Sequence, residues 1–217
     1  MRNWHASARA GTIIARAAFG RDPVKTCLHA SMFNQIISLL LQVIFGLVAG
    51  ACLLRLYMQY QRVAMSARAG NPLGPFIFAL TDWLVLPLRR VVPAMGRWDI
   101  ASLVAAYLLE VVQFSLFWLL AGAHGGASLI PVLAAFGVAR LALSGLSGLV
   151  IIYAVLSWVQ TASPMAGVIA RMVAPLLKPI RGVVPLLGGV DLSPLVLLLL
   201  LQIGAIVLES LQVALLT

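Results

Sequence analysis

The chain has 217 residues, of which 62% are hydrophobic and only 10% charged, with 15 Lys and Arg against 6 Asp and Glu. Ordinary soluble domains carry roughly a quarter charged residues, so this composition excludes a soluble globular protein. The formal net charge of +9 lies in segments flanking apolar runs; with no separate soluble domain, it points to anionic phospholipids and away from nucleic acid.

In chain order, residues 1–31 form a basic extension with Arg2, Arg9, Arg16, Arg21 and Lys25 against Asp22. Three readings stand open for it: a signal peptide with an over-long basic region, an amphipathic interfacial helix, or translated sequence upstream of a true start at Met32. The first membrane span is expected from about Phe33 to Leu54. A first connector follows, then a second span from about Ile100 to Ala121. The region Ser128 to Gln160 is too long for one span and too short for two. A single tilted helix at Val138 to Val159, with Pro131 in an interfacial lead-in, fits it best. A second connector and a span from about Pro194 to Leu216 complete the chain. Each run suits the roughly 20 helical residues that cross a hydrocarbon core, and a barrel would need short alternating segments that are absent.

The stretch "PLRRVVPAMGRWD" at 87–99 returns as "PIRGVVPLLGGVD" at 179–191, an offset of 92 residues. At the same offset Pro72 meets Pro164 and Leu84 meets Leu176. The fold class is therefore an all-α integral membrane protein, with four transmembrane helices in two helix-connector-helix repeats, 32–121 and 122–217. Two crossings per repeat return the chain to its starting side, so the repeats are parallel. The connectors at 55–99 and 161–193 are rich in Arg, whereas "GAHGGAS" between the second and third spans has no Lys or Arg. The basic-side bias puts both connectors in the cytoplasm; the charge upstream of Cys27 opposes this unless Met32 is the start.

Each connector reads as an amphipathic helix lying at the interface, begun near Pro72 or Pro164 and closed by Pro87 or Pro179, which remove an amide donor and clash with the preceding turn. Pro93 and Pro185 repeat the interruption, and Gly96 and Gly188 permit a turn. Asp99 and Asp191 are placed to accept amide hydrogen bonds at the start of the next span, with Ser193 and Pro194 an equally good cap in the second copy. Arg89, Arg90, Lys178 and Arg181 are the candidate contacts for headgroups or a protein partner. Within the spans, Glu110 and Gln113 share a helix face, Arg140 begins the core of the third span, and the repeat sets Gln202 at the position of Glu110. These polar groups read either as glue between helices or as a small polar path. A direct Glu110–Arg140 pair requires a long inward reach.

Catalytic chemistry finds no footing. His5, His29 and His124 are isolated, Cys27 and Cys52 make a poor disulfide pair, and no metal spacing or nucleophile-base pair can be formed. No cofactor or enzyme activity is expected.

The segment "PLLKPIRGVVPLLGGVDLSP" at 175–194, its first copy "LVLPLRRVVPAMGRWDIAS" at 84–102, and the Asn71-Pro72 pair replaced by Ser163-Pro164 resemble the signature of the YggT family of bacterial integral membrane proteins, related to YlmG. The likeness covers Met32 to Thr217. The first copy departs from the signature at Arg97 and Ala101. The resemblance implies an inner-membrane protein without an established biochemical activity. Two functions stand as expectations: a scaffold or assembly factor presenting paired basic loops to a membrane or cytoplasmic protein or to another copy of itself, and a small transport component using Glu110 and Gln202.

Overall fold

The computed structural model describes residues 23–63, 65, 71, 73–92, 99–120, 122–123, 127–159, 163–182 and 191–216, without the side chains of 23–32 and 216. Pro93, Gly96, Pro185 and Gly188, for which turns are expected, lie outside the described residues, as do Pro72, Arg97, His5 and His124. Among the described residues the helices are α1 Pro23–Tyr60, α2 Leu73–Val91, α3 Ile100–Leu120, α4 Ile130–Val159, α5 Pro164–Arg181 and α6 Ser193–Leu216, with a 3₁₀ turn at Ala127–Leu129 leading into α4.

Among the described residues four stretches are long and apolar enough to span a membrane: Phe33–Tyr60, Ile100–Leu120, Ala127–Val159 and Ser193–Leu215. At about 1.5 Å per residue the shortest matches a hydrocarbon core of about 30 Å, and the longer ones fit by tilting or by projecting from it. The first span runs on from the expected Leu54 to Tyr60, because Arg55 is 2% exposed and finds its acceptors inside the protein. The expected lead-in to the third span is itself helical. Pro131 is the second residue of α4, where a missing amide costs nothing.

The prolines expected to close the connectors do not. Pro87 lies inside α2, and Pro175 and Pro179 lie inside α5. Each removes one helical bond, yet α2 and α5 continue to Val91 and Arg181. One face of each is held by burial: Ile77, Thr81 and Val85 in α2, and Val168, Ile169, Met172, Val173 and Leu177 in α5. Polar caps start both helices. The Asn71 Oδ1 accepts the Leu73 amide at 3.1 Å, and 92 residues later the Ser163 Oγ accepts the Ala166 amide at 3.1 Å with Pro164 at the first helical position.

The chain divides into two compact units, Met1–Val43 and Ile44–Thr217, the boundary falling within α1. In the first, Phe33, Ile36, Leu39, Leu40 and Val43 are exposed. In the second, α2 packs on α3, and α4 packs on α3, α5 and α6. One cluster gathers Ala49 and Cys52 of α1, Val85 of α2, and Ala101, Ala105, Ala106 and Leu109 of α3. Its counterpart gathers Val150 of α4, Ile169, Val173 and Leu177 of α5, and Leu197 of α6. Val85 and Leu177, and Ala105 and Leu197, obey the 92-residue offset, whereas Cys52 and Val150 are 98 apart. The repeat therefore extends into the first helices once six residues are taken from the second copy before its connector. Lipid tails are as apolar as leucine, so these clusters hold by close packing, which the four small alanines of the first cluster allow.

Candidate functional site

A third cluster joins the two repeats. Met58 of α1 and Ile77 of α2 pack with Val168 and Met172 of α5. The Tyr57 hydroxyl donates to the Met172 carbonyl at 2.6 Å. The connector helices are thus brought together around the end of the first span.

The connector of the first repeat ends in a charge cluster in which Arg55 and Asp99 are buried and Asp82 and Arg89 reach the surface. Arg55, in the last two turns of α1, donates from Nη1 to Thr81 Oγ1 at 2.8 Å and to Asp82 Oδ1 at 2.6 Å, and its guanidinium carbon lies 4.7 Å from the Phe78 ring centroid. Thr81 donates in turn to the Ile77 carbonyl at 2.7 Å, one turn back in α2. Arg89 donates from Nη2 to Asp99 Oδ2 at 2.6 Å, and the same oxygen accepts the Ser102 hydroxyl at 2.7 Å and lies 3.7 Å from Arg55 Nε. The Asp99 side chain has no solvent exposure. Burial alone would raise its pKa, but the Arg89 and Ser102 hydrogen bonds and the Arg89 and Arg55 charges outweigh burial and hold the carboxyl below its ordinary value. Two arginines and two aspartates balance to zero net charge, the condition under which buried ions are tolerated. Arg55 Nε, Arg89 Nε and Asp99 Oδ1 are buried without a hydrogen bond.

The second repeat closes the same ten-residue span more openly. Arg181 donates to Asp191 Oδ2 from Nε at 2.9 Å and from Nη2 at 2.7 Å, and Nη2 also reaches the Tyr153 hydroxyl at 2.8 Å. The Arg181 and Asp191 side chains keep 44% and 23% exposure. Tyr153 stands 98 residues after Arg55, so the first helix of each repeat supplies one polar group to the clamp: a charge in the first copy, a neutral hydroxyl in the second. For Asp191, burial opposes ionisation, but the hydrogen bonds with Ser193 and Arg181 leave its pKa below the ordinary value.

Several expected roles change with this geometry. The Asp99 carboxylate accepts side-chain donors, while its backbone carbonyl accepts the Ser102 and Leu103 amides that start α3. Asp191 Oδ1 takes the Ser193 amide at 2.9 Å, but it is the Leu192 carbonyl that accepts the Leu195 and Val196 amides beginning α6, so Ser193 is not the cap. Arg89 and Arg181 each bind an aspartate of their own repeat, leaving Arg90 and Lys178 as the exposed cations beside them.

Among the intramembrane groups, Glu110 and Gln113 do share the buried face of α3, at 5% and 6% exposure. The Glu110 carboxylate occupies the space over Gly137 of α4 that any side chain there would fill. Arg140 turns to Gln212 of α6 instead, donating to Oε1 at 2.7 Å, so it makes no ion pair with Glu110. Gln202 is exposed on α6, whereas Glu110 is buried on α3.

Sequence reading missed Arg55, Asp82, Tyr153 and Gly137. The signal for the first and third was present: a six-residue shift in the first helices aligns Arg55 with Tyr153, where the single offset of 92 sets Arg55 against Ser147. Among the described residues no group of three or more His, Cys, Asp or Glu could hold a metal, and the free Cys52 is buried. No catalytic constellation is present there.

The CCB3/YggT family model matches residues 34–120 and 132–212, one stretch for each repeat. The chain belongs to the YggT family. It is 34% identical over 173 residues to "Uncharacterized protein YggT" of Escherichia coli K12, covering 77% of this chain and 86% of that one. A Vibrio alginolyticus relative, "Uncharacterized protein in proC 3'region", is 35% identical over 170 residues, covering 76% and 89%. An uncharacterized Pseudomonas aeruginosa protein is 37% identical over 168 residues, covering 76% and 83%. No solved structure matches the chain. As a YggT-family member it is a multi-pass protein of the inner membrane, and the basic-side bias puts both connectors on the cytoplasmic face.

Proposed function

We infer that this YggT-family protein is a membrane scaffold or assembly factor whose two connector helices form one cytoplasmic docking platform. The observation that carries this reading is the joint between connectors, Ile77 against Val168 and Met172 with the Tyr57 hydroxyl on the Met172 carbonyl. A passive hairpin would not need its neighbour's connector at its side. Each connector lies at the interface: α5 buries Val168, Met172 and Leu177 and exposes Arg171 and Lys178, while α2 turns Phe76, Trp83 and Leu86 outward to lipid. The clamps fix the basic segments, so Arg90 and Lys178 meet anionic headgroups or an acidic protein partner in a set geometry.

A photoreactive residue at Val91, 80% exposed beside Arg90, tests the platform. Crosslinking in native membranes is expected to capture one defined protein, with capture lost in Arg90→Ala plus Lys178→Ala while insertion is kept. Crosslinks to lipid alone would refute the protein-scaffold reading.

A transport component is the second reading, and it draws on Glu110 and Gln113, buried together with Gln113 Oε1 unpartnered. Gln202 does not join them. Potassium and proton flux in liposomes, with Glu110→Gln for comparison, tests it; folded protein that passes neither ion removes the reading.

A further inference from the structure

Between the matched positions Arg55 and Tyr153 and the matched caps Asn71 and Ser163, the first repeat carries six more residues than the second. Within that stretch α1 ends in a capping turn. The Arg62 amide donates to the Gln59 carbonyl and the Val63 amide to the Met58 carbonyl, both at 3.0 Å, and Val63 packs on the cluster that contains Met58. This pair of bonds with its apolar contact needs one residue in the left-handed region, where glycine is most easily accommodated. The end of α3 makes the same two bonds, Gly122 to Leu119 and Ala123 to Trp118, both at 3.0 Å, and puts Gly122 at that position with φ 91°. At the end of α1 the position is held by Arg62, with φ 53°. A side chain there destabilises the turn relative to glycine.

The turn is fixed in place. Gln61 Nε2 donates to the Tyr57 hydroxyl at 3.2 Å, and that hydroxyl donates to the Met172 carbonyl at 2.6 Å. Val63 and Met65 pack on Met58, Ile77, Val168 and Met172, and the Met65 carbonyl fills the space over Gly74 of α2. Arg62 itself is exposed, and its guanidinium has no hydrogen-bond or ion-pair partner among the described residues. The same holds for Arg171 of α5, which adjoins Met172 in sequence. Of the six acidic residues, Asp82, Asp99 and Asp191 take the arginines of the clamps, and Glu110 and Glu209 lie within candidate spans, which leaves Asp22.

Arg62 stands two residues past Tyr60, where the first span ends, and Tyr60 is 42% exposed. Tyrosines at span ends mark the headgroup level, and the cytoplasmic leaflet into which the connectors emerge carries anionic lipids. A guanidinium matches a phosphate with two parallel N–H bonds. We propose that Arg62 is a phosphate-binding residue for an anionic phospholipid of the cytoplasmic leaflet, with Arg171 the second cation at the joint between the connectors. The bound headgroup then offsets the backbone cost of Arg62. This contact rests on the reading of the connectors as one platform, and it adds a residue that the platform reading does not use.

Native mass spectrometry of the full chain, released from detergent after loading with phosphatidylglycerol, counts the retained lipids, and thermal denaturation in lipid-free detergent reads the backbone cost. Arg62→Gly is expected to raise the denaturation midpoint and to retain one phosphatidylglycerol fewer than wild type. Arg62→Ala, which keeps the left-handed cost, is expected to lose the same lipid without the rise. Phosphatidylcholine and inorganic phosphate are expected to show no retention that depends on Arg62. An unchanged lipid count in both variants, an equal loss from Asp22→Asn, Arg62-dependent retention of inorganic phosphate, or a midpoint in Arg62→Gly no higher than in Arg62→Ala would overturn the proposal. Capture of a protein from Val91 combined with no lipid lost from Arg62→Gly would refute this contact and leave the platform standing.

Discussion

The two clamps show how one sequence device acquires two physical characters. Arg89–Asp99 and Arg181–Asp191 span the same ten residues and each ties the end of a connector to the start of a span. In the first repeat a second arginine from α1 enters, with Asp82 to balance it, and the carboxylate is sealed from water. In the second, Tyr153 replaces that arginine and the pair stays partly wet. A buried pair is costly to break because the survivor is stranded, whereas an exposed pair gives its charges back to solvent. The first clamp is therefore a structural keystone and the second an adjustable tie.

The largest break in that comparison is Asp99→Asn. It strips Arg89 and Arg55 of their shared counter-charge and is expected to cost about 3–5 kcal/mol, read as a drop in the denaturation midpoint of the detergent-solubilised protein. Asp191→Asn is the matched control at the wet clamp, and an exposed pair predicts a loss of at most about 1 kcal/mol. Equal losses at the two sites would refute the assignment of distinct roles.

Acid tests both clamps. The folded Asp99 carboxyl titrates below its ordinary value of 3.8, so the stability it contributes is fully present above that pH and is lost as pH falls through the lower folded value. Asp191 shifts in the same direction in a wetter setting. An acid-unfolding curve is therefore expected to flatten below pH 3.8 in both Asp99→Asn and Asp191→Asn.

The smallest effect is expected from Tyr153→Phe, which removes one exposed hydrogen bond to Arg181 and costs about 0.5–1 kcal/mol. Added salt should weaken the wet clamp and leave the sealed one unchanged, because exposed charges are screened within about 10 Å at 0.1 M ionic strength. Midpoint differences between wild type and the two Asp→Asn variants, measured across a salt series, check this.

Much of the architecture was legible before any coordinates. Apolar run length alone gives four crossings, since a hydrocarbon core admits no other use for such segments, and the exact recurrence of Pro, Arg, Gly and Asp at one offset gives two like-oriented repeats. Legibility failed where neighbours override local rules. Pro87 and Pro179 read as helix stops, but a packed face and a clamp carry α2 and α5 past them. Arg55 read as connector charge flanking a span, but Thr81, Asp82 and Asp99 draw it inside. Glu110 and Arg140 invited a pair by sign and spacing. The notch at Gly137 and the acceptor at Gln212 separate them.

The sequence by itself thus determined the membrane class, the number of crossings, the duplication and the side on which the connectors emerge, because hydropathy, repeat period and charge bias act along the chain. Only the tertiary structure decided which arginine meets which aspartate, which polar helix face is covered, and that the two connectors touch. Those outcomes depend on side chains brought together from distant segments, and the cost of burying a charge or leaving it open is set by all of them at once.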